Sequence, residues 1–496
     1  MTSGGNILSA SLWSILGEAS AAVAGVVSFL VYAAFLTPSD FGVVGFCAVW
    51  TSLFQLLIDN VLRLPVVRAQ ESDGAVFDAA FRGNIVLAVA SYLLIAIAAI
   101  PAAEMLHDRR VLFMLPIMGL GLLCSGFSAT HLAIAQHRFD FGTLFRIRMF
   151  ATLGSVGVGI GLALAGSAYW SLVAAGLASG FIQLVASWWT VSWRPSGSFS
   201  WVVAAPLYRF AAWTAADTSM TWAATWSGGF VLGCFRGEHD LGLYRLSEQL
   251  AVTAIGTVIY PLISVFYTAY SRSLDSPSHM RHLVERFGRV VSLLAPALTG
   301  ILIVAAGPMA TLLGVKWHAL GQLMILSSLA HLAYSLAMPL IPYIRASGRP
   351  RAVAALRVLL VACQVPLFLI AAPLGVKELL TAALVLEIVM YFVYFFAAHK
   401  ITGIPVVRLM CRQGVVVVTA AFGCLASLLL GGQLTDGPLE RLLVSSILFT
   451  FWFAALVFLA ERQMLVVFWQ DRARWAEGGL PGWRGRLHRR DGDAGA

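Results

Sequence analysis

The chain is short of charge. Of its 496 residues only 11% are Asp, Glu, Lys or Arg, whereas 59% are hydrophobic, and the mean hydropathy is +0.84. A soluble domain carries about 25% charged residues. So few charges cannot coat a water-facing surface of this size, which excludes a soluble enzyme, a disordered chain and a fibrous protein. Cysteine is scarce too. The six (Cys47, Cys124, Cys234, Cys363, Cys411, Cys424) show no C-x-x-C spacing, so neither a disulfide framework nor a zinc site is implied, and they read as small buried hydrophobes. Long polar stretches are missing. The longest, around 63–83, 191–210 and 268–289, are too short for a folded extramembrane domain. Met1 to Ala10 contains no Lys or Arg, so the first apolar run is expected to be a retained membrane helix and not a signal peptide. No segment alternates like an outer-membrane strand, and Gly431-Gly432 opens no phosphate-binding loop.

What the chain does have is apolar runs of spanning length. They fall at approximately 13–36, 42–62, 84–103, 111–135, 149–166, 168–190, 211–235, 246–267, 290–310, 321–344, 353–373, 379–398, 414–431 and 442–460. A spanning helix needs about 20 apolar residues. The expected fold is therefore an all-α polytopic membrane protein of about 14 transmembrane helices. The few charges are sorted by side. Of the 33 Lys and Arg, only Arg109, Arg110, Arg236, Arg245, Lys316, Lys377 and Arg441 fall between odd-numbered spans and their successors; the other 26 fall on the opposite face. The positive-inside rule makes that basic face cytoplasmic, with both termini on it. The net charge of +9 then needs no nucleic acid; it matches anionic lipid headgroups.

A weak repeat is also present. Asp40-Phe41-Gly42 opens span 2 and Asp240-Leu241-Gly242 opens span 8, an offset of 200. On the basic face, Ala135 to Arg138 precedes Arg146, and Ala346 to Arg349 precedes Arg357 with the same spacing. Both markers shift by six spans, so the halves run parallel. The expected organisation is a six-helix lobe over 1–194, a second over 205–400, an appended pair over 401–462 and a basic tail over 463–496. Two such lobes imply a central cavity exposed to alternate sides by rocking, which is a transporter's geometry.

Several stretches resemble the polysaccharide-export branch of the multidrug/oligosaccharidyl-lipid/polysaccharide flippase superfamily. Leu36-Thr37-Pro38-Ser39-Asp40-Phe41-Gly42 looks like the family's start of helix 2. Gly242 to Gln249, with Pro261 and Tyr270-Ser271-Arg272, is similar to its helix 8, and Leu313-Gly314 to Trp317 with Ala346 to Pro350 to its hinge. The likeness covers roughly residues 10–400. It departs at Asp59-Asn60-Val61-Leu62-Arg63, where the family often has a Gly-rich exit, and at Gly228, where an Asp is usual. The acid of span 7 here is Asp217. The resemblance implies no enzyme but a flippase in the bacterial inner membrane. It would move undecaprenyl-diphosphate-linked oligosaccharide repeat units for exopolysaccharide, capsule or O-antigen assembly, alongside polymerase and export proteins of the pathway. It also implies that spans 1, 2, 7 and 8 line the cavity.

Ionisable groups inside spans are costly and usually face a cavity or a partner. A diphosphate needs cations, and Arg supplies planar bidentate contacts. Arg63 and Arg245 are the best placed, with Asp59 and Glu248 beside them; Arg146 and Arg357 could meet the headgroup at the basic face. Gln55, Trp213, Trp222, Trp226 and Gln364 could serve sugars. Glu18, Asp217 and Glu387 have no neighbouring cation in sequence and are candidates for coupling to H⁺ or Na⁺. Each has a structural counter-reading. Asp59 with Arg63, and Arg245 with Glu248, could neutralise one another along a helix. Arg146 and Arg357 could be interfacial anchors, and His331 a satisfied core histidine. No cofactor is expected. The competing functions are a membrane polymerase or acyltransferase of the same pathway, and a cation-coupled drug antiporter of the same superfamily. The first two need a catalytic cluster or large loop that the sequence does not offer, and the antiporter as a rule has twelve spans.

Overall fold

The structure is a computed structural model that describes residues 31–68, 74–138, 140–196, 200–271, 277–403, 406–435 and 437–476, with Gly25, Ser28 and Ser273. Glu18 and most of the run 13–36 lie outside the described residues. The described chain is helical with no strand. In order it forms α1 (Pro38–Asn60), α2 (Arg63–Arg68), α3 (Gly74–Leu106), α4 (Val111–His137), α5 (Phe141–Leu164), α6 (Trp170–Thr190) and α7 (Trp201–Ala251). A π segment, Val252–Gly256, leads into α8 (Thr257–Ser271) and α9 (Pro277–Leu313). A 3₁₀ turn, Val315–Trp317, precedes α10 (Leu320–Ala337), α11 (Leu340–Ala346), α12 (Pro350–Ala371), α13 (Val376–Thr402), α14 (Val407–Leu434) and α15 (Pro438–Ala476).

Among the described residues twelve helical stretches are long and apolar enough to cross a membrane. One of them, Trp201–Ser271, is 71 residues long and contains two of the expected runs. It doubles back at Gly237, whose φ of 74° and ψ of −169° are backbone angles that a side chain resists. The count of about fourteen is thus not reached by the described residues, since the first run falls outside them. α15 also runs on to Ala476, past the expected start of the tail at 463.

The ends of the helices follow from local chemistry. Thr37 caps α1 with a capping box: its hydroxyl oxygen accepts from Asp40 N at 3.3 Å, and the Asp40 carboxylate accepts from Thr37 N at 2.9 Å. Pro38 sits at the first turn, where its missing N–H costs nothing. Asp140 caps α5 by accepting from Thr143 N at 3.0 Å. The long lipid-facing sides carry exposed Ile97, Phe113, Phe181 and Phe396, as a hydrocarbon solvent permits. Cys363 and Cys411 are exposed as well, against the expectation that most cysteines are buried. Of the glycines in α5, Gly154 and Gly159 meet Ile182 and Tyr32, whereas Gly157 and Gly161 face open space, so only part of that small-residue run packs closely.

The distribution of the cores positions the site. The largest cluster joins α1, α3 and α4 to α7, α10, α12 and α13 at the face away from the basic one; it includes Phe46, Met114, Leu232, Leu241, Trp317 and Leu379. At the basic face the packing is split. One cluster gathers Val61, Phe77, Ile134, Leu207 and Ala211 from α1 to α4 and the start of α7. Another gathers Phe266, Val291, Tyr343, Leu356 and Phe395 from α8 to α13. α14 and α15 attach through α9, with Phe449 against Gly300.

Candidate functional site

The halves meet at the two repeat-related glycines. A Cβ on Gly42 would overlap the carbonyl of Glu238, and a Cβ on Gly242 would overlap the carbonyl of Pro38. Pro38 and Glu238 are themselves 200 residues apart, as are Gly42 and Gly242. The contact is therefore reciprocal: each glycine takes the backbone of the other turn. Small residues that let helices touch backbone to backbone are the common device of membrane packing.

Polar contacts secure the same face. Arg110 Nη2 lies 2.7 Å from Asp108 Oδ2 and 2.9 Å from Glu238 Oε1, so the α3–α4 turn is tied to the α7 bend. Asp108 is outside the spans. Burial pushes its carboxyl up, but the side-chain and backbone hydrogen bonds from Arg110 outweigh that and hold it below the usual carboxylate range. Lys316 Nζ donates to Ala34 O (3.0 Å) and Leu36 O (2.8 Å), and Trp317 Nε1 donates to Ala33 O at 3.0 Å. The Phe41 ring meets Trp317 edge-on at 5.6 Å. Arg110, Glu238 and Lys316 were not among the expected site residues. The only sequence signal was their place among the seven basic residues, or in the turn, of the less basic face.

Below this seal lies Arg245. Its guanidinium carbon sits 4.0 Å from the centroid of the Trp226 ring, on the other arm of α7. Its stem fits because Gly45 of α1 and Gly229 of α7 carry no side chain; a Cβ there would come within 3.1 and 3.3 Å of it. No carboxylate lies within ion-pair distance of Arg245 among the described residues, so its N–H fork remains available in plane. Trp222 Nε1 donates to Ser52 Oγ at 2.9 Å, and Gln55 Nε2 donates to Asp59 Oδ2 (2.9 Å) and Ser125 Oγ (2.7 Å). Gly45, Ser52, Gln55 and Asp59 form one stripe of α1.

The two within-helix counter-readings do not hold among the described residues: neither Asp59 with Arg63 nor Arg245 with Glu248 forms an ion pair. Asp59 takes Gln55, while Arg63 opens α2 and is exposed. Glu248 turns from Arg245 to α10, where its Oε2 lies 3.2 Å from His331 Nε2. Neighbouring Ser327 donates to Ser247 at 3.1 Å. His331 thus has a specific partner on another helix. α13, which carries Glu387, packs against α10, which carries His331. Arg357 of α12 meets Asp217 Oδ1 at 3.0 Å and Thr221 Oγ1 at 2.7 Å. A suggested headgroup contact and a suggested ion site therefore form one pair. Seven residues on, Gln364 donates to Ala224 O and Ser227 Oγ, which zips α12 to α7. Arg146 is exposed and donates to Thr143 in its own helix, and Trp213 is 78% exposed, apart from the Arg245 cluster.

The Arg357–Asp217 pair permits a first prediction. The Asp217 side chain is 62% exposed, and such pairs contribute about 0–1 kcal/mol. Asp217→Asn should lower the melting temperature of the detergent-solubilised protein by no more than a few degrees. A larger fall would show that the pair holds α7 to α12.

Comparison with known proteins places these features. The chain is 22% identical over 340 residues to the succinoglycan biosynthesis transport protein ExoT of Rhizobium meliloti (strain 1021), covering 68% of each. It is 20% identical over 350 residues to the lipopolysaccharide biosynthesis protein WzxC of Escherichia coli (strain K12), covering 69% of this chain and 70% of that one. Its fold matches that of the lipid II flippase MurJ in its inward closed conformation, with a TM-score of 0.74 over 92% of this chain and 99% of that one, at 10% identity. The likeness to MurJ is one of fold. A family model described as "Polysaccharide biosynthesis protein" matches residues 31–321, more than half of the chain. The chain belongs to the polysaccharide biosynthesis protein family.

Proposed function

We propose that the chain is a flippase for lipid-linked oligosaccharide repeat units, working by alternating access between two six-helix lobes. The basic face is cytoplasmic, as the positive-inside rule requires, and the glycine seal faces the periplasm. The observation that carries the reading is the unpaired Arg245, set beneath a seal that joins the halves at one face while the cores stay separate at the other. A diphosphate entering from the basic face would find the Arg245 fork in place. The Gln55, Asp59, Ser52 and Trp222 stripe and Trp226 would meet sugar hydroxyls and rings. Arg63 and Arg146, exposed at the basic face, would gather the headgroup, as would Arg357 once drawn from Asp217. Binding a dianion at Arg245 favours the state that encloses it, which is how a substrate shifts a two-state equilibrium. Glu387, with Glu248 and His331, offers a group of exchangeable protons for coupling to H⁺; Asp217 and Glu18 remain candidates. The polymer would be an exopolysaccharide, capsule or O-antigen.

Deletion of the gene tests the reading. Radiolabelled lipid-linked repeat unit should accumulate in the cytoplasmic leaflet, with polymer lost. Accumulation in the periplasmic leaflet would instead mark a polymerase and defeat it.

A further inference from the structure

A cavity of about 930 Å³ lies at the bend of α7, where α9 and α14 end and α10 and α15 begin, at the face opposite the basic one. Its polar side is lined by His239, Lys316, His318, Gln322 and Arg441. Among the described residues no Asp or Glu lines it; beside it, the Asp240 carboxylate meets Arg236 at 2.8 Å and the His239 ring at 3.5 Å, and the Glu440 carboxylate lies near Gly437. Its apolar side is formed by Leu243, Ile325 and Leu428. Lys316 spends two of its three donors on Ala34 O and Leu36 O and keeps one. Arg441 lies in the space that Gly432 leaves open: a Cβ there would come within 2.7 Å of Nη2.

We propose that this cavity binds the phosphate headgroup of an anionic membrane phospholipid, with an acyl chain against its apolar side. Two permanent cations and the His318 imidazole, with no Asp or Glu among the described lining residues, are complementary to a phosphate, and Arg441 presents the planar fork that suits one. The apolar side argues for a lipid over a free anion. So does the depth, for α9, α10, α14 and α15 all begin or end here, at Leu313, Leu320, Leu434 and Pro438, where headgroups lie. The volume falls within the range of roughly 300–1,000 Å³ typical of small-molecule sites. This site goes beyond the transport reading and does not depend on what is transported. It gives α14 and α15 a role: they complete a lipid site that the other helices leave open on one side.

Native mass spectrometry of the full chain, purified in detergent, tests the proposal with phosphatidylglycerol as the probe. Phosphatidylcholine, inorganic phosphate and a polyprenyl phosphate are the comparators. The chain should retain phosphatidylglycerol over phosphatidylcholine. Arg441→Gln should weaken that retention about fivefold, the contribution of one cation beside an anionic headgroup. His318→Gln should weaken it further, and Arg349→Gln, at the other face, should leave it unchanged. Equal melting temperatures would show that the variants are folded. Retention unaltered in R441Q, or equal binding of phosphatidylcholine, overturns the proposal. Displacement by inorganic phosphate alone would make it a free-anion site, and preference for the polyprenyl phosphate would assign it to the transported lipid; either outcome overturns it too.

Discussion

Gly42→Val and Gly242→Val should each reduce polymer export at least tenfold while the protein still reaches the membrane. The added side chain meets a backbone carbonyl, that of Glu238 or Pro38, which cannot rotate aside as a side chain would. Overpacking costs about 1–3 kcal/mol even where side chains can yield, and about 1.4 kcal/mol is a tenfold change in an equilibrium. The cost falls only on the state in which the two turns touch, so the variant should be displaced from it and not merely destabilised. Spin labels at Ser39 and His239 should report a longer mean distance in either variant. Export at the normal level with an unchanged distance would mean that the reciprocal contact has no part in transport. Because the two glycines are equivalent by the repeat, the variants should resemble each other more than either resembles a substitution elsewhere on α1 or α7.

Arg245→Ala should abolish export, and Arg245→Lys should restore little of it. Truncating one partner of a buried charge pair costs about 2–5 kcal/mol, so a diphosphate deprived of Arg245 should be transported thirtyfold more slowly or worse. Lysine keeps the charge but not the planar fork or the face that lies on Trp226. Trp226→Ala, which frees the guanidinium without removing it, should fall between the two. The rate of repeat-unit translocation per molecule in proteoliposomes is the measurement. Full activity of Arg245→Lys would reduce the residue to a point charge, and full activity of Arg245→Ala would remove it from the site.

Much of the fold was legible because hydrocarbon imposes a simple rule. Every apolar run from 42–62 onward contains or overlaps a helix, and the sorting of arginines distinguishes the two faces. Contacts between distant helices were not legible. The Asp-x-Gly turns were visible as a repeat, yet nothing in either turn says that its glycine receives the other's backbone; that depends on a partner 200 residues away. Sequence spacing suggested that Arg245 pairs with Glu248 and Asp59 with Arg63, since residues three or four apart share a helix face. Instead Glu248 is drawn to His331, 83 residues on, and Asp217 to Arg357, 140 residues on. Which donor a carboxylate meets is set by what tertiary packing brings within reach. Periodicity could name the charged residues of the site but not pair them.

Trp317 bears on leakage. It stands on one half with its indole buried and bonded to Ala33 of the other, beside Phe41. Parting the halves at that face would bring much of this ring into water. A large aromatic buries roughly 150–250 Å², which at about 25 cal/mol per Å² is near 4–6 kcal/mol. An empty protein would then open there about once in a thousand occasions or less. On the alternating-access reading proposed above, a cavity open at the basic face would otherwise be a path for protons each time its other end parted. On that same reading, the indole would act as an insulating plug, drawn only when cargo repays the exposure, so that the membrane keeps its gradient while the carrier waits.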